Sequence, residues 1–451
     1  MFYRVIWNCY ELLMAEWLRP TELRKLQEKR LRAILKHAYE NVPLYRKKLD
    51  SAAIKPSDIN DLNDLSKLPF TTKQEIVSGM PQESIAKGYD LDDCVRMSTS
   101  GTTGGPMPVF YDKAFWDYMV ALWYFRELRA LDLNPWDRVT DIFYHRPQPG
   151  EKEEPSVNKS KSRGGTALGP SVSILKRWQR NVYLAYTAEE IISEIVKYQP
   201  GIIRGNSSYL KLLAEAVTDR GLKNIRPKAL VSWGELLDES SRRFLESSLQ
   251  CEVYDSYGAY EAGTIAYECR KKEGLHVRED FVVVELIRNG ESVGPGEEGE
   301  IVVTGLLNYA MPLIRYRVGD IGISGDAQCS CGRGFRLLKS IEGRKVDFLP
   351  LPDGRTISPK RIITAIQSTR GVSRYQLVQE STNRFTLELM RKESDPEVSI
   401  EDLRSKCLEI LGSNIEMEII VGNRQSVKAK FRPVISKLTV EQEPRWTKPR
   451  S

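Results

Sequence analysis

The run Met97-Ser98-Thr99-Ser100-Gly101-Thr102-Thr103-Gly104-Gly105-Pro106 holds hydroxyls and glycines, with no bulky side chain until Met107. Glycine lets a backbone approach an anion closely and take positive φ, while serine and threonine add hydroxyl donors. Such a segment suits the phosphates of a nucleotide. It lacks the Lys-Ser/Thr ending of a Walker loop, which excludes the common P-loop NTPase reading. Taken alone the run is also compatible with an ordinary surface loop. A second chemistry-bearing set is Cys269-x6-His276 with Cys329-x-Cys331. One imidazole and three thiols are an ordinary ligand set for tetrahedral Zn²⁺. Both pairs flank an extended region, 282–303, that would bring them together. Cys-x-Cys is tighter than the usual Cys-x2-Cys knuckle and the pairs are far apart, so buried free thiols remain the alternative. Four protein ligands leave no open position, so this zinc would be structural.

Further motifs follow in order: Tyr257-Gly258-Ala259-Tyr260-Glu261, Tyr316-Arg317-Val318-Gly319-Asp320, Gly343-Arg344, and Lys430 within Lys428-Ala429-Lys430-Phe431-Arg432. With the 98–104 run, this series resembles the adenylate-forming, or acyl-CoA synthetase, superfamily. Asn41-Val42-Pro43-Leu44-Tyr45-Arg46, Leu68-Pro69-Phe70-Thr71-Thr72-Lys73 and Gly274-Leu275-His276-Val277-Arg278-Glu279-Asp280 are similar to one branch of it. That branch holds phenylacetate–CoA ligases, deazaflavin-cofactor adenylyltransferases and CapK-type capsule-biosynthesis proteins. The resemblance runs from about residue 20 to residue 438.

A carboxylate is not acylated onto a thiol or amine directly, because its oxygen is a poor leaving group. Adenylation replaces that oxygen with AMP, and Mg²⁺ offsets the charge on the departing pyrophosphate. By resemblance, the 98–104 loop holds the β- and γ-phosphates of ATP, Glu261 ligates Mg²⁺, and Tyr257 with Gly258 lies beside the adenine. Gly234-Glu235 lines the adenine pocket, Asp320 accepts from the ribose hydroxyls, and Arg344 meets ribose and phosphates at a domain boundary. Lys430 bridges the carboxylate and the α-phosphate across the cleft. The chain departs from the family pattern at four places. Gly105 replaces a common lysine, Tyr260 stands where many relatives have Thr or Ser, Val346 occupies the hinge position beside Asp347, and Ala429 precedes Lys430.

These groups need a scaffold. Residues 21–51 carry Leu23, Leu26, Leu31, Ile34, Leu35 and Ala38 at helical spacing until Pro43 interrupts them. A second helix, rich in Trp and Tyr, is predicted from Ala114 to about Leu131. Its aromatics are first of all core, and those at 116–125, with Tyr144-His145, are plausible walls of a substrate pocket. Residues 148–165 lose all apolar periodicity and read as a surface loop. A helix capped by Thr187 and Glu190 follows. The runs 201–204, 229–232 and 252–255 read as strands of an α/β sheet, and 282–305 as antiparallel strands with turns at Asn289-Gly290 and Pro295-Gly296. Beyond Arg344 a hairpin around Asp353-Gly354, a helix capped by Ser358 with Pro359 in its first turn, strands at 374–379 and 385–390, a helix at 400–411 and a strand at 415–421 form a small α+β module. The expected organisation is a large α/β AMP-binding domain with a β subdomain at 1–344, a mobile small domain at 345–438 carrying Lys430, and a flexible tail at 439–451.

At 451 residues the chain exceeds one compact core, and 41% hydrophobic with 28% charged residues is ordinary for a globular protein. A net charge of +6 spread among many charges suits ATP or CoA and gives no sign of a nucleic-acid partner. No apolar stretch reaches the length of a membrane span. Met1–Trp17 is apolar and aromatic but carries Arg4, Glu11 and Glu16 and no cleavage pattern, so an amphipathic helix packed on the large domain is expected. Seven scattered cysteines fit a reducing compartment, and the cytoplasm is the expectation. The resemblance implies activation of a carboxylic acid, an aromatic one by analogy, and transfer to CoA. A sugar or other non-CoA acceptor in surface-polysaccharide assembly is the alternative, and a non-catalytic nucleotide-binding scaffold the third.

Overall fold

A computed structural model of the chain describes residues 13–98, 107–143, 179–183, 188–325, 328–369, 371–372, 375–391, 397–423 and 433–438. Thr99, Ser100, Gly101, Thr102, Thr103, Gly104, Lys430, the 148–165 loop, the Thr187 cap, residues 1–12 and the 439–451 tail lie outside them.

The expected long N-terminal helix is Pro20–Asn41 followed at once by Pro43–Ser51. Pro43 lacks the N–H that would continue the first helix and opens the second at its first turn. A hairpin of β1 (Val95–Ser98) and β2 (Pro108–Tyr111) follows. The predicted 114–131 helix is interrupted: Lys113–Leu122 passes into a π-helical turn at Trp123–Glu127 before Leu128–Ala130 closes it. Two buried ion pairs hold that turn, Arg126 with Asp280 at 2.9 Å and Glu127 with Arg278, and these long-range partners leave no trace in local periodicity.

Twelve strands among the described residues form one sheet. In chain order they are β3 (Val139–Phe143), β4 (Gln179–Tyr183), β5 (Ile202–Gly205), β6 (Ala229–Trp233), β7 (Glu252–Ala259), β8 (Gly263–Glu268), β9 (Leu275–Val277), β10 (Val282–Arg288), β11 (Glu291–Ser292), β12 (Glu298–Gly305), β13 (Tyr316–Ser324) and β14 (Leu337–Arg344). Across the sheet they run β11-β10-β12-β13-β14-β9-β8-β7-β6-β5-β3-β4. From β4 to β7 all pairings are parallel; from β7 to β11 all are antiparallel. In the parallel half, β3, β5 and β6 are largely buried on both faces. Ile203 and Leu230 pack under the helices Ala188–Tyr198, Ser207–Asp219 and Glu239–Leu249, while their neighbours Ile202, Ala229 and Val231 meet Tyr124 and Leu128 on the other side. Period-two alternation with two apolar faces is what a strand covered by helices on both sides requires.

Past Arg344 the predicted hairpin is shorter than expected. Lys345–Asp347 is a 3-10 turn, and only β15 (Leu349–Pro350) and β16 (Thr356–Ile357) pair. The helices Pro359–Gln367 and Ile400–Leu411 then pack with β17 (Tyr375–Ser381), β18 (Arg384–Arg391), β19 (Glu416–Asn423) and β20 (Val434–Ser436). These elements share a hydrophobic cluster of their own, from Leu349 to Val434. Among the described residues no helix is long and apolar enough to cross a membrane. The fold is mixed α/β, with a large sheet-centred body and a smaller C-terminal α+β part.

Candidate active site

Strand β7 ends where the site begins. Ala259 pairs with Gly263 across a tight turn, and Glu261 occupies that turn. Two glycines make it possible. A Cβ on Gly258 would lie 2.6 Å from the Gly263 carbonyl oxygen, and Gly263 itself has φ +73° with the Met119 sulfur 2.3 Å from any added Cβ. Tyr111 of β2 donates its hydroxyl to the Tyr260 carbonyl, tying the β1–β2 hairpin to the Glu261 turn. The Gly/Thr-rich segment is the connection of that hairpin, and its stems Ser98 and Pro108 face each other.

Asp320 lies on β13 directly opposite Arg344 on β14, with Nε 3.8 Å from Oδ1. Four strand-to-strand steps separate β7 from β13, about 19 Å in a flat sheet. Yet the Tyr257 hydroxyl donates to Asp320 Oδ2 at 2.8 Å, and the Tyr316 hydroxyl donates to Glu261 Oε1 at 3.1 Å. The sheet must curl between them. Register shifts at Tyr257/Gly258, Ile321/Gly322 and Ile323/Ser324 supply local bends, as bulges do. Burial, then the Asp320 carboxylate, holds the Tyr257 phenol well above its ordinary pKa. Burial and the Glu261 carboxylate do the same to Tyr316. Both phenols therefore stay protonated and act as donors.

Gly234-Glu235 follows β6, whose Trp233 pairs with Ser256 beside Tyr257. Gly234 has φ +72°, a left-handed conformation natural to glycine. Glu235 Oε2 accepts from the Ser208 N–H at 3.0 Å, at the start of the Ser207–Asp219 helix, while Oε1 is buried with no hydrogen-bond partner. The carboxyl ends of β5, β6 and β7 thus meet here, the place where open α/β sheets bind ligands. Tyr257, Glu261, Asp320 and Arg344 are brought together; Lys430 and Thr99 to Gly104 fall outside the described residues. The Tyr316–Glu261 hydrogen bond has no signal in the sequence, although Tyr316 stands in a motif already singled out.

The four predicted metal-type ligands converge elsewhere. Cys269 follows β8, His276 is on β9, and Cys329 and Cys331 precede β14, with their ligand atoms all within 4.8 Å of one another. Cys269 and Cys329 sulfurs are 3.6 Å apart, and Cys331 Sγ is 3.4 Å from His276 Nε2. A tetrahedral zinc with thiolate ligands sets edges of about 3.8 Å, whereas a disulfide needs about 2.05 Å; the spacing fits the former. Burial lowers His276 to about 4, so it is neutral, and burial raises Cys269 and Cys329. Burial alone would also raise Cys331, but the Arg333 N–H and guanidinium outweigh it and bring that thiol below its usual value. The cluster sits at the far end of β8 from Glu261, on the order of 20 Å along the strand.

No protein-family model matches the chain. It is 32% identical to the phenylacetate-coenzyme A ligase of Escherichia coli (strain K12) over 342 residues, covering 73% of this chain and 72% of that protein. It is 28% identical to the enzyme of the same name from Thermus thermophilus, covering 80% and 79%. Protein CapK of Staphylococcus aureus is 23% identical over 89% of the chain and 86% of its own length. Among solved structures, a 2-hydroxyisobutyryl-CoA ligase in the postadenylation state superposes with TM-score 0.76 at 19% identity, covering 94% of this chain and 91% of that one. The ordered motifs, the curled sheet that joins them and this identity lead to one assignment: the chain belongs to the phenylacetate–coenzyme A ligase family of the adenylate-forming superfamily.

Proposed function

We propose that the protein activates a carboxylic acid with ATP as an acyl-adenylate and passes the acyl group to coenzyme A. A carboxylate oxygen attacks the α-phosphorus, pyrophosphate leaves, and the thiol sulfur then attacks the acyl carbon and expels AMP. The observation that carries this reading is the hydrogen-bonded set Tyr257, Asp320, Tyr316 and Glu261 with Arg344 beside it, in a chain 32% identical to a phenylacetate-coenzyme A ligase.

In this reading Asp320 accepts from the ribose hydroxyls, and Arg344 faces ribose and phosphate. Gly234, Glu235, Tyr257 and Gly258 border the adenine, and Ser98, Thr99, Ser100, Gly101, Thr102, Thr103 and Gly104 cradle the β- and γ-phosphates. Glu261 suits Mg²⁺, because a single hard carboxylate oxygen beside substrate phosphates is the usual magnesium arrangement. The ion would neutralise charge on the leaving pyrophosphate. Lys430 supplies a cation to the oxygens that gain charge in the transition state. Cys269, His276, Cys329 and Cys331 are proposed as a structural zinc site, supported by donor type and spacing. The proposed units are 1–344, 345–438 and a tail at 439–451, and the proposed location is the cytoplasm.

Pyrophosphate exchange measured over a panel of carboxylates tests the first step, and product mass with added CoA tests the second. If no acid in the panel, aromatic ones included, supports exchange, the proposal is refuted. A second reading keeps the adenylation and changes the acceptor to a sugar amine or hydroxyl; the CapK similarity over 89% of the chain favours it. Acyl transfer to an aminosugar but not to CoA would select it.

A further inference from the structure

Each of the two central motifs contains a tyrosine and a carboxylate, and the hydrogen bonds run between motifs. Tyr257 stands four residues before Glu261, yet its hydroxyl reaches Asp320 Oδ2 at 2.8 Å. Tyr316 stands four residues before Asp320, yet its hydroxyl reaches Glu261 Oε1 at 3.1 Å. Both rings are buried in the core: Tyr257 is 9% exposed and Tyr316 1%. Tyr316 is fixed further by the backbone bridge to Thr71, whose N–H and carbonyl bond Arg315 and Arg317.

We infer that the two motifs brace each other, with Tyr316 as the positioning residue for the metal-side carboxylate Glu261 and Tyr257 as that for the ribose-side carboxylate Asp320. A phenol donating to one carboxylate oxygen fixes the plane of the group and the direction of its other oxygen. Left unbraced, a Glu in a two-strand turn samples several rotamers and holds its ligand in only some of them. The crossing also gives the curled sheet a purpose. Strands β7 and β13 close toward each other so that each carboxylate is set by a ring rooted in the other strand.

The inference rests on the proposed nucleotide site, and Tyr257→Phe and Tyr316→Phe test it by removing one oxygen each. Binding of ATP and of 2′-deoxy-ATP is measured by calorimetry across a magnesium titration, with no acid present and therefore no turnover. Tyr316→Phe is expected to raise the magnesium concentration for half-maximal ATP binding about tenfold, the usual scale for a hydrogen bond to a charged group, with the ATP/deoxy-ATP ratio unchanged. Tyr257→Phe is expected to shrink that ratio several-fold and leave the magnesium requirement alone. A merely structural role would weaken all ligands together or lower only the melting temperature. Equal losses in both measurements, an uncrossed pattern, or no change would overturn the brace. A parent protein that binds neither nucleotide would overturn the proposed function as well, which separates the two failures.

Discussion

Replacing Lys430 with alanine removes the one cation assigned to the reacting oxygens rather than to the nucleotide as a whole. Removing an interaction made only in the transition state lowers the rate without changing ground-state binding. Lys430→Ala is therefore expected to reduce pyrophosphate exchange by about a hundredfold or more and to leave the Kd for ATP within about twofold. Retained exchange would remove Lys430 from this role. Asp320→Asn should behave in the opposite way. It keeps the shape but turns one acceptor into a donor, so KM for ATP should rise about tenfold with kcat little changed; a lost kcat at unchanged KM would contradict a ribose role. Glu261 and Asp320 could be singled out in the sequence as candidates because each sits at a fixed short offset in its own motif. The contact between Tyr316 and Glu261 has no such local signal, because 55 residues separate them and the path of the sheet, not local sequence, brings them together.

At the next scale, two elements carry testable loads. Glu342, near the end of β14, is gripped from beyond Arg344: Ser358 Oγ donates to its Oε2 at 3.2 Å and Lys360 Nζ to its Oε1 at 3.1 Å, with Ser340 Oγ at 2.7 Å. Pro359 packs against Gly343, where φ is +117°. Ser358 was recognised in the sequence as a helix cap, and it does cap Pro359–Gln367. That its hydroxyl also clasps Glu342 depends on where the helix docks, which no local pattern encodes. If this clasp holds the small lobe in one arrangement, Glu342→Ala should change the ratio of adenylate formation to thiol transfer by about threefold or more, measured as separate half-reactions; equal changes in both would reject it. The cysteine–histidine cluster is the second such element. Arg333 touches Cys331, binds Glu16 at 2.8 Å and lies over the Trp17 ring, so if zinc occupies the cluster its removal should loosen residues 13–19 as well. Cys329→Ser or a chelator is expected to lower Tm by several degrees, with exchange activity intact at low temperature. Metal analysis finding no zinc would end the assignment. The four side chains could be singled out from sequence as a candidate set; their convergence needed β9 paired with both β8 and β14, which sequence distance conceals.

For the molecule as a whole, global stability should carry a pH signature from the seam where the parallel half of the sheet gives way to the antiparallel half. Asp255, on β7, has its carboxyl pushed up to about 7, first by burial and then by Glu268, with Arg242 and Lys360 opposing. Glu268 is itself committed to Arg242 at 2.8 Å and accepts the Asp255 N–H at 2.7 Å, so it cannot turn away. In the unfolded chain Asp255 would titrate near its ordinary 3.8. Between roughly pH 4 and 7 the folded state holds a proton that the unfolded state has released, so this group's contribution is full below about pH 4 and is lost as pH rises from there through 7. Allowing for partial solvent access, the loss is on the order of 2 kcal/mol. Asp255→Asn, which keeps the neutral form at every pH, should therefore match the parent protein in Tm below about pH 4, begin to exceed it from there, and exceed it by several degrees at pH 8. A difference that stays flat across that range would mean Asp255 is ionised in the folded protein throughout, its charge satisfied by Arg242 and Lys360.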